Sequence, residues 1–220
     1  MTAREPLRLA ILISGRGSNM AAIARACAEK RIDATVEIVI SDRPEVVGLE
    51  TARGMGIPVA VVPWKALGDR ATAERLLGEL IDAHKPDLVV LAGFMRILSA
   101  AFVERYAGRM LNIHPSLLPD YRGLDTHRRV LEAGESHHGA SVHYVTPELD
   151  GGPLVLQSRI PVRPQETEEE ISGRVHRTEH IIYPRVVGWI ATGRLTWRDQ
   201  GAWLDGRPLS GPVVEEFPDV

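Results

Sequence analysis

Five short apolar runs punctuate the first half of the chain: residues 7–14 (LRLAILIS), 36–40 (VEIVI), 59–62 (VAVV), 87–91 (DLVVL) and 110–113 (MLNI). Each is strand-sized and almost continuously apolar, the pattern of a parallel strand buried on both faces. Between them lie segments of helical character. Residues 20–30 are rich in alanine, 45–55 read as a second helix, and 69–84 carry Leu76, Leu77, Leu80 and Ile81 on one face. Strands alternating with helices imply right-handed crossovers and a mostly parallel sheet. The expected fold is α/β: a single open, mostly parallel twisted sheet with helices on both faces.

After residue 114 the pattern changes. Residues 126–133 read as a helix. Residues 139–145 and 154–160 alternate like strands. Residues 167–187 read as a long helix around Ile171, Val175, Ile181 and Ile182, with Pro184 expected to kink or shorten it. Residues 197–204 and 207–214 are expected to form a terminal hairpin. No repeat, low-complexity tract or linker interrupts the 220 residues, so one continuous domain is expected. A net charge of −3 supplies no global field for nucleic acid or an anionic membrane. The one cysteine, Cys27, excludes an internal disulfide and fits a reducing compartment. Residues 1–6 lack the apolar stretch of a signal peptide, and no run is long enough to span a membrane. A cytoplasmic protein is therefore expected.

The chemistry concentrates in a few motifs. In Asn112-Ile113-His114-Pro115-Ser116-Leu117-Leu118-Pro119 an amide and an imidazole sit two residues apart at a strand end, and alternation points them the same way. In open α/β sheets ligands bind outside the carboxyl ends of strands. An amide donor beside an imidazole there suits a reaction that develops an oxyanion and moves a proton. Glu148-Leu149-Asp150-Gly151-Gly152-Pro153 offers a carboxylate to hold the imidazole, or is simply a good turn. Gly15-Arg16-Gly17-Ser18-Asn19 joins a strand to a helix and reads as a phosphate cradle, or as a tight turn capped by Ser18. It is neither a Walker loop nor a dinucleotide fingerprint. Met95, Ile97 and Leu98 in the stretch after the fourth strand are either ordinary core or a slot for a flat heterocycle. The eight histidines form no HExxH or Cys/His metal pattern, and no Gly-x-Ser-x-Gly elbow is present.

Together these motifs, with Gly123-Leu124-Asp125-Thr126-His127, resemble the phosphoribosylglycinamide formyltransferase family of folate-dependent enzymes in purine biosynthesis, over residues 7–204. The resemblance implies a formyltransferase fold with a Rossmann-like N-terminal half. It divides the chain into a nucleotide-binding half (7–113), a folate and catalytic half (114–204) and a tail (205–220). It implies that Gly17, Ser18, Asn19, His176 and Glu179 hold glycinamide ribonucleotide; the family often carries glutamine where His176 stands. Arg70, Met95, Arg96, Ile97, Leu98, Asn112, Thr146, Pro147, Glu148, Leu149 and Asp150 would meet the folate. Asn112 would bind the formyl oxygen, His114 would donate a proton, and Asp150 would favour the charged imidazole. The co-substrate would be 10-formyltetrahydrofolate, with no metal required, no nucleic-acid or membrane partner, and a homodimer allowed. The loop at Tyr121-Arg122-Gly123 varies in such enzymes and receives no role. A formyltetrahydrofolate hydrolase using the same three groups, and a nucleotide-binding module without catalysis, are the alternative readings. A methionyl-tRNA formyltransferase would need a further C-terminal domain.

Overall fold

The computed structural model describes residues 5–220. Residues 1–4, part of the stretch read for a signal peptide, lie outside the described residues. The chain begins with β1 (Leu7–Ile13), α1 (Ser18–Ala28), β2 (Ala34–Ser41), α2 (Val47–Gly54) and β3 (Val59–Val61). A short α3 (Trp64–Leu67), α4 (Arg70–Ala83), β4 (Leu88–Leu91), α5 (Ala100–Arg105) and β5 (Met110–His114) follow. Then come α6 (Thr126–Ala133), β6 (His137–Tyr144), β7 (Leu154–Pro161) and the long α7 (Glu168–Ala191). Four short strands end the chain: β8 (Leu195–Arg198), β9 (Gly201–Leu204), β10 (Arg207–Pro208) and β11 (Val213–Glu216).

Eight strands form one sheet in the order β11-β7-β6-β5-β4-β1-β2-β3. Only β6 runs against its neighbours; the other five adjacent pairs are parallel. The chain winds from β1 outward to β3, then returns to place β4 on the other side of β1. That reversal opens a crevice beyond the carboxyl ends of β1 and β4, where open α/β sheets bind ligands.

Each sheet face is covered by helices. On one face, Met20 and Ile23 of α1, Leu49 of α2 and Ile171, Val175, Ile182 and Val186 of α7 close over Leu9, Ile11, Val90, Leu111 and Val142. On the other, Leu77 and Ile81 of α4 and Phe102 of α5 cover Ala10, Leu12, Val89 and Met110. Helix starts follow their caps. The Asp69 carboxylate accepts from the Thr72 N–H at 2.7 Å to begin α4, and Thr167 with Glu170 forms a capping box on α7. Among the described residues no helix is long and apolar enough to cross a membrane.

The structure corrects three expectations and adds two helices. Pro184 does not shorten α7, which runs on to Ala191. Tyr183, Val186 and Val187 are fully buried on either side of the proline, so packing holds the turns its missing N–H would loosen. The end of the chain is not a simple hairpin. Strands β8, β9 and β10 form a separate three-stranded sheet, while β11 leaves it and adds to the main sheet parallel to β7. Val213 packs against the main core, and Glu215 and Glu216 pair with Arg185 and Arg159, contacts a local pattern cannot show. The sheet is therefore not the only one. Helices α3 and α5 are each too short for periodicity to reveal.

The single proton of the Tyr183 hydroxyl is shared between the Leu91 carbonyl at 2.9 Å and that of Leu111 at 3.1 Å, tying α7 to the central strands β4 and β5. Tyr183→Phe should destabilise the protein by about 1–2 kcal/mol, the cost of leaving buried acceptors without their donor. Urea unfolding should show a lower midpoint at constant slope; an unchanged midpoint would assign the hydroxyl no structural part.

Candidate active site

Strand alternation builds the head of the site. Met110, Asn112 and His114 share one face of β5. Met110 is buried beneath α4 and α5. Further along the same face, Asn112 and His114 line a cavity of about 510 Å³. Pro115 ends the strand, as its missing N–H requires.

His114 is 6% exposed and both its nitrogens face acceptors. Nε2 lies 3.0 Å from the Tyr121 carbonyl, which can only accept, so Nε2 carries the proton. Nδ1 lies 3.5 Å from Asp150 Oδ2, an ion-pair distance longer than an ordinary hydrogen bond. Nδ1 is thus the nitrogen left to exchange a proton with a bound reactant, with the Asp150 carboxylate beside it. Asp150 is itself fixed: Oδ2 accepts from the Gly123 N–H at 3.0 Å. Its turn lies tight against β6, where a Cβ on Gly152 would come within 1.9 Å of the Tyr144 carbonyl oxygen. The Asp-Gly-Gly sequence is therefore a requirement of close approach as well as a turn.

His143 and the Tyr121–Gly123 loop, to which the sequence reading assigned no role, also meet the site residues. The antiparallel register sets His143 opposite Asn112. His143 Nδ1 donates to the Tyr144 carbonyl at 2.9 Å, leaving Nε2 to accept from Asn112 Nδ2 at 3.2 Å. One amide proton of Asn112 is thereby engaged and the amide plane is set, with the second proton free for a ligand oxygen. Burial pushes the His143 pKa down, which keeps Nε2 an acceptor. The only sequence signal for His143 was its place in an alternating strand; that for the loop was nil, because it acts through the Tyr121 carbonyl and the Gly123 N–H.

The extended segment 94–98 forms a second wall. Met95 and Ile97, 57% and 67% exposed, alternate with the buried Phe94 and the inward-facing Arg96. Leu98, Thr146, Pro147, Glu148 and Leu149 complete the enclosure. Arg70 is not among the cavity walls; it projects from the first turn of α4, 3.9 Å from Glu74.

The glycine loop lies outside these walls, at the start of α1. Gly17 has φ 68°, and a Cβ there would meet the Gly48 Cα at 2.9 Å, so both conformation and space demand glycine. Gly17, not Ser18, occupies the cap position and no side chain caps the helix. The Ala21 N–H is the first to reach a helical acceptor, the Gly17 carbonyl, which leaves the N–H groups of Ser18, Asn19 and Met20 for an anion. Asn19 Nδ2 donates to the buried Glu179 at 2.8 Å, and burial raises the pKa of that carboxyl. His176 Nε2 lies 4.0 Å from Glu179. The His176 ring is 6.4 Å from that of His127, which lines the large cavity. The five residues of the glycine loop and α7 thus form one cluster beside the cavity that holds Asn112, His114 and Asp150. Among the described residues no three His, Cys, Asp or Glu side chains are grouped to hold a metal ion.

Residues 7–187 match the family described as formyl transferase. The chain is 52% identical to phosphoribosylglycinamide formyltransferase of Escherichia coli over 212 residues, covering 96% of this chain and all of the relative. The solved structure of phosphoribosylglycinamide formyltransferase from Coxiella burnetii superposes with a TM-score of 0.91 at 48% identity, covering 96% of this chain and 100% of that one. A formyltetrahydrofolate deformylase from Pseudomonas syringae is more distant, with a TM-score of 0.83 at 25% identity; the match covers 90% of this chain and 66% of that one.

The buried histidines give the protein an acid-labile side. Burial pushes His127 down to about 4 and His138 to about 3, and it lowers His143 and His180 as well. Unfolded histidines titrate near 6.5, so below that pH the unfolded chain binds protons that the folded chain does not. Stability should be full above pH 6.5 and fall as the pH drops toward 4. Urea midpoints measured across that window should decrease with acidity, and His138→Gln should flatten the dependence; a flat wild-type profile would contradict the assignment.

Proposed function

This chain belongs to the formyl transferase family, and we propose that it transfers the formyl group of 10-formyltetrahydrofolate to the amine of glycinamide ribonucleotide in purine biosynthesis. The observation that carries the reading is the meeting of Asn112, His114 and Asp150 at one end of a cavity large enough for a flat heterocycle. The unpaired N–H groups of the glycine loop stand beside it. In this reading the ribonucleotide phosphate sits on Gly17, Ser18 and Asn19, with Glu179 accepting from ribose hydroxyls and His176 alongside. The folate lies between the 95–98 wall and residues 146–150, and the exposed Arg70 meets its outer end. Residues 7–113 then serve the nucleotide, 114–204 the folate and the chemistry, and 205–220 form a tail.

The amine attacks the formyl carbon directly. A carbon–nitrogen bond forms, the formyl oxygen becomes an oxyanion, and the bond to folate N10 then breaks. The free Asn112 N–H and the imidazolium of His114 stabilise the oxyanion. One proton leaves the amine and N10 gains one, so the net transfer needs no external acid. His114 Nδ1 carries the proton, and Asp150 stabilises its charged form. The three groups suffice without a metal or a covalent enzyme intermediate. The protein works in the cytoplasm on small-molecule substrates, as a monomer or a homodimer, and takes neither nucleic acid nor membrane as a partner.

Purified protein with both substrates should form the new amide at a rate that depends on ribonucleotide. Folate deformylation at the same rate without ribonucleotide would replace this reading by the hydrolase, and no turnover at all would favour the binding module. Asn112→Ala should lower kcat about 10²–10³-fold, as loss of one oxyanion donor does. His114→Ala and Asp150→Asn should each lower kcat, and the double variant should lose less than the product of the two, because the pair acts as a unit. Multiplicative losses would leave Asp150 as a turn residue.

A further inference from the structure

The cavity wall from Phe94 to Ser99 belongs to no helix or strand, yet it has to present a surface of fixed shape. Three buried polar side chains from three different elements hold it. Ser14, just past β1, accepts from the Met95 N–H through Oγ at 2.8 Å. Asp42, just past β2, accepts from Arg96 Nε through Oδ2 at 2.6 Å. Glu74, on α4, accepts from the Ser99 N–H at 2.6 Å and from its hydroxyl at 2.5 Å. Each of the three is at most 8% exposed.

The middle brace is the costly one. Asp42 is a carboxylate whose side chain is wholly buried, and its Oδ1 has no hydrogen-bond partner. Arg43 lies 3.7 Å from Oδ2 but its side chain is half exposed. Such an ion pair is weak evidence for stability, because desolvation offsets the attraction; its better-attested use is to specify one arrangement. Here it turns Arg96 inward, with the guanidinium 6.0 Å from the centre of the Trp64 ring. Trp64 in turn packs edge-on against Phe94. Alternation then sends Met95 and Ile97 into the cavity. The N–H and C=O groups of Arg96, Ile97 and Leu98 have no partner among the described residues, so the brace decides where these free groups stand.

We propose that Asp42 is a positioning residue for the folate: by holding Arg96 inward it fixes the backbone donors and acceptors of residues 96–98 and the apolar wall beside them. Arg96 therefore serves the slot through its backbone while its side chain is a strut. The proposal rests on the reading of this wall as the folate slot.

The test is the split of steady-state constants between the two substrates. Asp42→Asn removes the charge and keeps the shape. It should raise the KM for 10-formyltetrahydrofolate at least about fivefold, with the KM for ribonucleotide and kcat at saturating folate within about twofold, as expected when a group that only positions one substrate is lost. Ser14→Ala should act in the same direction, and Asp42→Glu should recover part of the loss. A folded Asp42→Asn protein with an unchanged folate KM, or with equal effects on both substrates, would overturn the proposal. Should Asp42→Asn not fold, Arg96→Gln removes the same ion pair from its other side and should raise the folate KM in the same way; a folded Arg96→Gln protein with an unchanged folate KM would overturn the proposal equally. Wild-type protein that turns over no formyl group with these substrates would instead remove the folate reading itself.

Discussion

The antiparallel pairing of β5 with β6 is the contact on which the site depends. It sets Asn112 opposite His143, and a shift by one residue would send Asn112 and His114 to the other face, into the layer beneath α1 and α7. With this register, the same strand that buries Met110 under α4 and α5 delivers an amide and an imidazole to the open end of the cavity. A shift in the β6–β7 pairing falls at Val142 and His143, next to the site, where sheets commonly re-aim a side chain. The reversal of direction at β6 also sends the chain out and back twice at this edge. The 115–125 loop and the 145–153 loop, which leave β5 and the antiparallel β6 at opposite ends, both reach back to His114, through the Tyr121 carbonyl and the Asp150 carboxylate.

The polar groups around the cavity are held by the backbone more than by one another. Tyr121 offers a carbonyl to His114, Gly123 an N–H to Asp150, and Tyr144 a carbonyl to His143. Backbone partners do not rotate, so each side chain keeps one orientation and, for the histidines, one tautomer. The acceptor and donor roles at His114 and Asn112 are thereby assigned before any substrate arrives, which is what electrostatic preorganisation requires.

Two parts of the site solve different problems with the same fold. The glycine loop uses the start of a helix packed against α7, where unpaired N–H groups and a buried carboxylate stand together. The cavity uses irregular chain on both sides, Phe94–Ser99 and residues 121–125, secured from the rigid elements behind it. The chain's reversal between β1 and β4 brings both parts to the carboxyl ends of the strands. Tyr183, bonded to the carbonyls of Leu91 and Leu111, ties the helix that carries Glu179 to the strands β4 and β5.

Much of this was legible along the chain because it is local. The short apolar runs and the helices between them specify a mostly parallel sheet, since burial on both faces and alternation act over a few neighbouring residues. The spacing of Asn112 and His114, the Asp150-Gly151-Gly152 turn and the Gly15–Asn19 loop are equally local, and so are the motifs that carry the family resemblance. What the tertiary structure alone decided lies in contacts between residues far apart in sequence. The tail strand β11 pairs with β7, where Glu216 meets Arg159 of β7 and Glu215 meets Arg185 of α7. Arg70 stands outside the cavity. Arg96 turns toward Asp42, 54 residues earlier in the chain. His143 meets Asn112, 31 residues earlier, by strand register. Such partners are chosen by packing and by the need to satisfy buried polar groups, and neither leaves a periodic trace in the sequence.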